Sequence, residues 1–248
     1  MPAQPCSNAW RSRRRSPLTA HGGRGLPFLR PRLASRRAHR ENARPMTFLS
    51  PWRLARLTVR PSEAGEHLAA ATPEAHDVIL RLVLPLSVVP PALAWIGGAT
   101  FGWRLGGGEP LYIPAGGLAL ISLAYFVALV TGFVSTALVA SWMAGTYGAR
   151  REFGAHLAFV ALVGMPAILA SVAHLAPHAF VNMLLLIPAL IWCLYLLYRC
   201  LPAALGTTPE QGILMASSVV AYVLVAFVSL LGITVVLWSG GIGPSLGV

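Results

Sequence analysis

The chain carries five apolar runs of about 20 residues or more, the length of helix needed to cross ~30 Å of hydrocarbon at 1.5 Å per residue. They fall at residues 78–101, 114–143, 155–175, 180–198 and 213–238, and no Asp, Glu or Lys lies deep within them. A soluble core has no use for such runs in succession. The pattern therefore predicts an all-α fold, a polytopic transmembrane helical bundle of five spans. Trp103, Tyr112, Trp142, Tyr147, Tyr195, Tyr198 and Trp238 gather near the ends of the runs, where interfacial aromatics belong.

Ahead of the first run, residues 46–77 alternate less regularly and read as a cytoplasmic juxtamembrane segment. Ser50 is placed to cap a short helix over residues 46–61, Pro51 suits its first turn and Pro61 stops it. Phe48, Trp52, Ala55 and Val59 fall on one side. Arg53, Arg56 and Arg60 fall about 100° away, a basic face suited to anionic headgroups at a membrane surface. Leu54 and Leu57 break the separation. Residues 62–77 are polar and partly helical, with an interruption at Pro73.

Residues 1–45 are rich in proline, glycine and arginine and poor in apolar side chains, which predicts disorder. A basic nucleic-acid or lipid-binding arm, a transit peptide and a twin-arginine signal compete as readings. The change of composition at Met46 favours a start codon assigned too far upstream. Residues 241–248 form a short uncharged tail.

Charge changes the picture only through its distribution. The formal net charge is +11, but residues 1–45 hold eleven Arg against one Glu, and residues 46–248 hold eight Arg against seven acids. The basic balance belongs to the extension, and no nucleic-acid partner follows from it. Arg53, Arg56, Arg60, Arg81, Arg150, Arg151 and Arg199 lie on one side of the predicted spans and Arg104 alone on the other. The positive-inside rule places the N-terminus in the cytoplasm and the C-terminus outside. The absence of lysine, with abundant Ala, Gly and Pro, points to a GC-rich bacterial genome.

Candidate chemistry is sparse. His174 and His178 have the i,i+4 spacing of a helical metal pair, but Pro177 lies between them and no third ligand stands nearby, so interfacial histidines are expected. Cys193 and Cys200 lie seven residues apart, about 10 Å along a helix, too far for a disulfide. They read as small apolar residues, with Cys200 at the interface as the one candidate for palmitoylation. No nucleophile–base pair is found, so no catalytic residue, metal or cofactor is expected. Prolines inside the spans carry more information. Pro85, Pro90 and Pro91 in the first span, Pro166 in the third and Pro188 in the fourth each remove an amide donor and free the carbonyl four residues back. Lipid cannot satisfy those carbonyls, so the kinks should face protein or water and outline a cleft. Small residues recur every fourth position at Ala128, Gly132, Thr136 and Ala140, and again at Gly98 and Gly102, stripes that let helices approach closely.

Several stretches resemble the Yip-one domain family of Ypt/Rab-interacting-protein-like membrane proteins, in its bacterial branch. Leu84-Pro85-Leu86 through Pro90-Pro91, then Trp95-Ile96-Gly97-Gly98, resembles the first span of bacterial members. Pro166-Ala167 is similar to a segment of the third span. Leu194-Tyr195-Leu196-Leu197-Tyr198-Arg199-Cys200-Leu201-Pro202 resembles the end of the fourth. The likeness covers about residues 55–240. It implies five spans after a cytoplasmic N-terminus and, for bacterial members, the inner membrane. Eukaryotic members bind Rab-type GTPases through an acidic-aromatic cytoplasmic motif; that motif is absent here, and GTPase binding is not expected without it. The resulting expectation is a non-enzymatic inner-membrane protein that organises partners, with the lipid bilayer and a membrane-protein partner or second copy as its contacts. A subunit of a small-solute or lipid permease is the alternative.

Overall fold

A computed structural model of the chain describes residues 50–104 and 109–239. The readings of residues 1–45, of Phe48 and of the 241–248 tail lie outside the described residues. Two short helices, α1 (Pro51–Leu57) and α2 (Pro61–Ala70), precede five long ones: α3 (Ala75–Phe101), α4 (Ala115–Met143), α5 (Phe153–Ala170, tightening into a 3-10 turn over Ser171–Leu175), α6 (Ala179–Leu205) and α7 (Pro209–Ser239). Each of the five is long and apolar enough to cross a bilayer. Their alternating course defines a proximal side, which holds α1, α2 and the α4–α5 and α6–α7 turns, and a distal side with the other two connections.

The interfacial helix expected over residues 46–61 is two helices. Its backbone turns at Thr58–Arg60, and Pro61 opens α2 rather than closing α1. A proline at the first helical position gives up only an amide that would have no partner there. Ser50 sits at the cap position of α1, but its backbone carbonyl, not its hydroxyl, accepts from Arg53 and Leu54. The buried face is Leu54 with Thr58, while Trp52 and Val59 are 68% and 73% exposed. The leucines that spoiled the amphipathic pattern are thus the ones that meet protein, and the outer apolar side chains are left for lipid.

Some helix ends also differ from the sequence boundaries. α6 runs seven residues past Tyr198 to Leu205, because Leu196, Leu197, Cys200, Leu201, Ala204 and Leu205 form a buried stripe there. It stops at Gly206, whose φ of 71° suits a left-handed cap. In α3 the turn at Ile79–Val83 is π-helical, and the Leu84 amide bonds the Ile79 carbonyl five residues back. The wider turn shifts the ladder just before Pro85, which has no amide to offer.

The packed core lies toward the proximal side. Val78, Leu82 and Leu86 of α3 meet Ala137 and Ala140 of α4, Leu157 and Leu162 of α5, Leu196 and Leu201 of α6, and Met215 and Ala216 of α7 in one buried cluster. Toward the distal side α3 and α5 stay in contact at Gly97 and His174, while α6 and α7 are largely exposed. α6 keeps only one edge against its neighbours, and the apolar side chains of α7 from Val223 to Val236 stand exposed around the helix. Among the described residues nothing covers them.

Candidate functional site

The paired prolines of α3 do not break the helix. Pro90 and Pro91 are buried, and the carbonyls their missing amides leave free are those of Leu86 and Ser87. Ser87 is fully buried, and its hydroxyl has no partner among the described residues. Gly154 of α5 lies against the Pro73 carbonyl beside Ala75, and Gly97 of α3 against the His174 carbonyl. These two contacts, one at each end, make α3 and α5 parallel neighbours. Counting twelve residues, about 18 Å, from Gly154 and from Ala75 puts buried Pro166 level with Ser87. Sequence reasoning named Pro90, Pro91 and Pro166, and the fold brings them to one depth. The orphaned hydroxyl beside them had no signal in the sequence, because Ser87 looks like any serine that bonds its own helix.

Pro85 and Pro188 do not join this interior. Both lie on exposed faces. Of the five prolines, the described chain buries Pro90, Pro91 and Pro166 and leaves these two exposed, so an interior cleft would not include them. A groove of about 350 Å³ opens beside Pro91 between α3 and α4, lined by Val88, Ala92, Trp95, Ser122, Leu123 and Phe126. It is an apolar surface groove rather than a polar cleft.

The small-residue stripe divides. Thr136 and Ala140 are buried in the core, Ala128 is partly covered, and Gly132 has open space where a Cβ would stand. In the second stripe the close approach is made by Gly97. Gly98 meets the Trp103 indole, and Gly102, with φ 68°, ends α3.

On the proximal side one arginine joins four segments. The Arg150 guanidinium donates to the carbonyls of Leu68, Ala69 and Ala71 at 3.3, 3.0 and 3.0 Å, and to Glu152 at 3.0 Å. Its amide donates to the Leu205 carbonyl at the end of α6, and its own carbonyl accepts from His156 Nε2 at 2.7 Å. A cation on the last carbonyls of α2 also suits that helix's negative end. A backbone amide at its own position, and then Arg150, hold the Glu152 carboxyl below the usual carboxylate range. The sequence showed Arg150 only as one positive charge among several, since the carbonyls it serves lie about 80 residues away.

The distal side has a smaller polar cluster. His174 Nδ1 donates to Asn182 Oδ1 at 2.5 Å, which leaves Nε2 to accept from the Tyr125 hydroxyl at 3.3 Å. His178 Nδ1 caps α6 by accepting from the Phe180 amide. Asn182 joins the two, donating through Nδ2 to the His178 carbonyl at 3.1 Å, and among the described residues no group of three His, Cys, Asp or Glu side chains gathers. Cys193 and Cys200 are free thiols. Cys200 is buried under α2 and donates to the Pro61 carbonyl at 3.2 Å, so an acyl chain would reach its sulfur only if α2 lifted away.

Comparison with known proteins places most of the chain in one family. The family model for the Yip1 domain matches residues 55–230, from α1 into α7. The chain is 33% identical over 160 residues to the inner membrane protein YohC of Escherichia coli K12, an alignment that covers 64% of this chain and 82% of that relative. The protein of the same name from Escherichia coli O6:H1 matches to the same extent. No solved structure matches.

Proposed function

The chain belongs to the Yip1 domain family, and on that premise we propose that it is a multi-pass inner-membrane protein acting without catalysis, as a scaffold that gathers partner proteins in the bilayer. The observation that carries this reading is α7. Its apolar side chains from Val223 to Val236 are exposed on every side, while its proximal end is anchored by Met215, Ala216 and Val219 in the core and by Ser218 to Tyr147 at 2.8 Å. A helix held firmly at one end and bare along the rest is suited to receive another membrane helix, since helices in lipid associate through the packing of such faces. Photo-crosslinking tests this. A benzophenone amino acid at Val225, Val228 or Val236 should give discrete protein adducts in cells. Adducts with lipid alone at all three positions would remove the scaffold reading.

A permease subunit is the second reading, and Ser87 favours it. A buried hydroxyl without a partner, next to two carbonyls freed by prolines, is the kind of oxygen group that broken helices offer to solutes and ions in transporters. Solute flux into vesicles that is lost in Ser87→Ala would move the balance to that reading.

A further inference from the structure

The turn between α1 and α2 is fastened to α6 at two points. The Trp192 indole N–H donates to the Thr58 carbonyl at 3.0 Å, and the Cys200 thiol donates to the Pro61 carbonyl at 3.2 Å. Residues 58–61 therefore lie along the stretch of α6 that carries Trp192, Tyr195, Tyr198 and Arg199. Seven residues of helix rise about 10 Å, so the stretch runs from inside the 180–198 span at Trp192 to its proximal end at Tyr198 and Arg199. The exposed aromatics and the arginine on that stretch are the residue types of a membrane interface. From there α2 climbs away from the bilayer, with Gly65 against Ala203 and its last carbonyls on Arg150.

This register sets the depth of the hairpin's arginines. Arg53, Arg56 and Arg60 are all exposed, as are Trp52 and Val59 between them. The Arg56 guanidinium carbon lies 5.6 Å from the centre of the Trp52 ring, a cation–π contact. Arg60 gives one hydrogen bond to Glu63 at 3.1 Å; a guanidinium has five N–H donors, so Arg60 keeps others. Trp52 and Val59 can enter the acyl boundary while the guanidinium groups stay level with phosphates.

We propose that the α1–α2 hairpin is a binding site for the phosphate of an anionic phospholipid in the leaflet on the N-terminal side, formed by Arg53, Arg56 and Arg60. Arg–phosphate pairing supplies the affinity, and the aromatic anchors fix the depth. This goes beyond the scaffold reading and does not depend on it.

Native mass spectrometry of the full chain in detergent, titrated with phosphatidylglycerol or phosphatidylcholine, tests the site. The wild type should retain phosphatidylglycerol preferentially. Arginines at a membrane surface contribute about 1 kcal/mol each, so replacing all three with Gln should weaken that retention by about a hundredfold. Arg56→Gln alone should weaken it about fivefold, whereas Arg104→Gln, an equal change of charge on the distal side, should not. This single pair decides the matter should the triple variant fail to fold. Equal retention of both lipids, or an Arg56→Gln variant no weaker than Arg104→Gln, overturns the proposal. So does binding of inorganic phosphate or of a polyglutamate peptide as tight as that of the lipid.

Discussion

Truncating Arg150 should loosen the C-terminal end of α2, whose other contacts to α6 remain. In Arg150→Ala the carbonyls of Leu68, Ala69 and Ala71 lose a charged donor. Hydrogen bonds to charged groups are worth about 1.5–3 kcal/mol each. The three do not sum at that rate. They share one guanidinium, the longest is 3.3 Å, and carbonyls at a helix end recover part of the loss from water. The Glu152 pair adds little, because that carboxylate is 60% exposed. A loss of about 3 kcal/mol is the resulting figure, and for a chain of this size it lowers Tm by about 6–12 °C. The backbone bonds from residue 150 to Leu205 and from His156 survive the substitution, so the variant should still fold. Thermal unfolding in detergent measures the shift, and limited trypsin digestion should cut faster at Arg53, Arg56 and Arg60. Arg150→Lys keeps the charge without the planar fork and should recover about a third of the loss. An Arg150→Ala protein melting within 1 °C or so of wild type, with an unchanged digestion pattern, would refute this account of how the hairpin is held.

Glycines at the two α3–α5 contacts should behave oppositely to the open one: a Cβ at Gly97 or Gly154 would overlap a backbone carbonyl, so either change to Ala should destabilise by about 1–3 kcal/mol, whereas Gly132→Ala should be neutral or stabilising by up to about 1 kcal/mol in the same thermal assay. Pro90→Leu with Pro91→Leu should insert normally and straighten α3, and full retention of partner adducts on α7 would show that the kink serves packing alone. A reporter fused after Val248 should be exported, as the arginine asymmetry requires; a cytoplasmic reporter would reverse the orientation. Because the Glu152 carboxyl is held low, its contribution is fully present above the ordinary carboxylate range and is lost as pH falls from there through its lowered folded-state value, so acid unfolding of wild type and Glu152→Gln should converge at low pH.

The five spans were legible because lipid imposes a length and an apolar composition that nothing else in the chain imitates. The Yip-one resemblance was legible in the proline-rich first span and the end of the fourth, and the family match over residues 55–230 agrees with it. What the pattern misplaced depends on partners distant in the chain. Pro61 reads as a stop signal, and only the surface of α6 makes it the start of a helix packed through Gly65 on Ala203. α6 should fade at Arg199, but a second buried stripe carries it to Leu205. Arg150 and Ser87 have ordinary local sequences; one is a hub and the other an orphan solely through what the fold sets around them. Likewise Gly97 and Gly154 stand out from other glycines only once α3 and α5 lie side by side.

The uneven distribution of the core has a mechanical consequence. Near the proximal side, interdigitated side chains and the Arg150 contacts make a stiff cross-section. Near the distal side, α7 resembles a cantilever: its free length is exposed and no described residue braces it. Lateral pressure or thickness changes in the distal leaflet therefore swing α7 at little energetic expense, while the same disturbance in the proximal leaflet meets close-packed resistance.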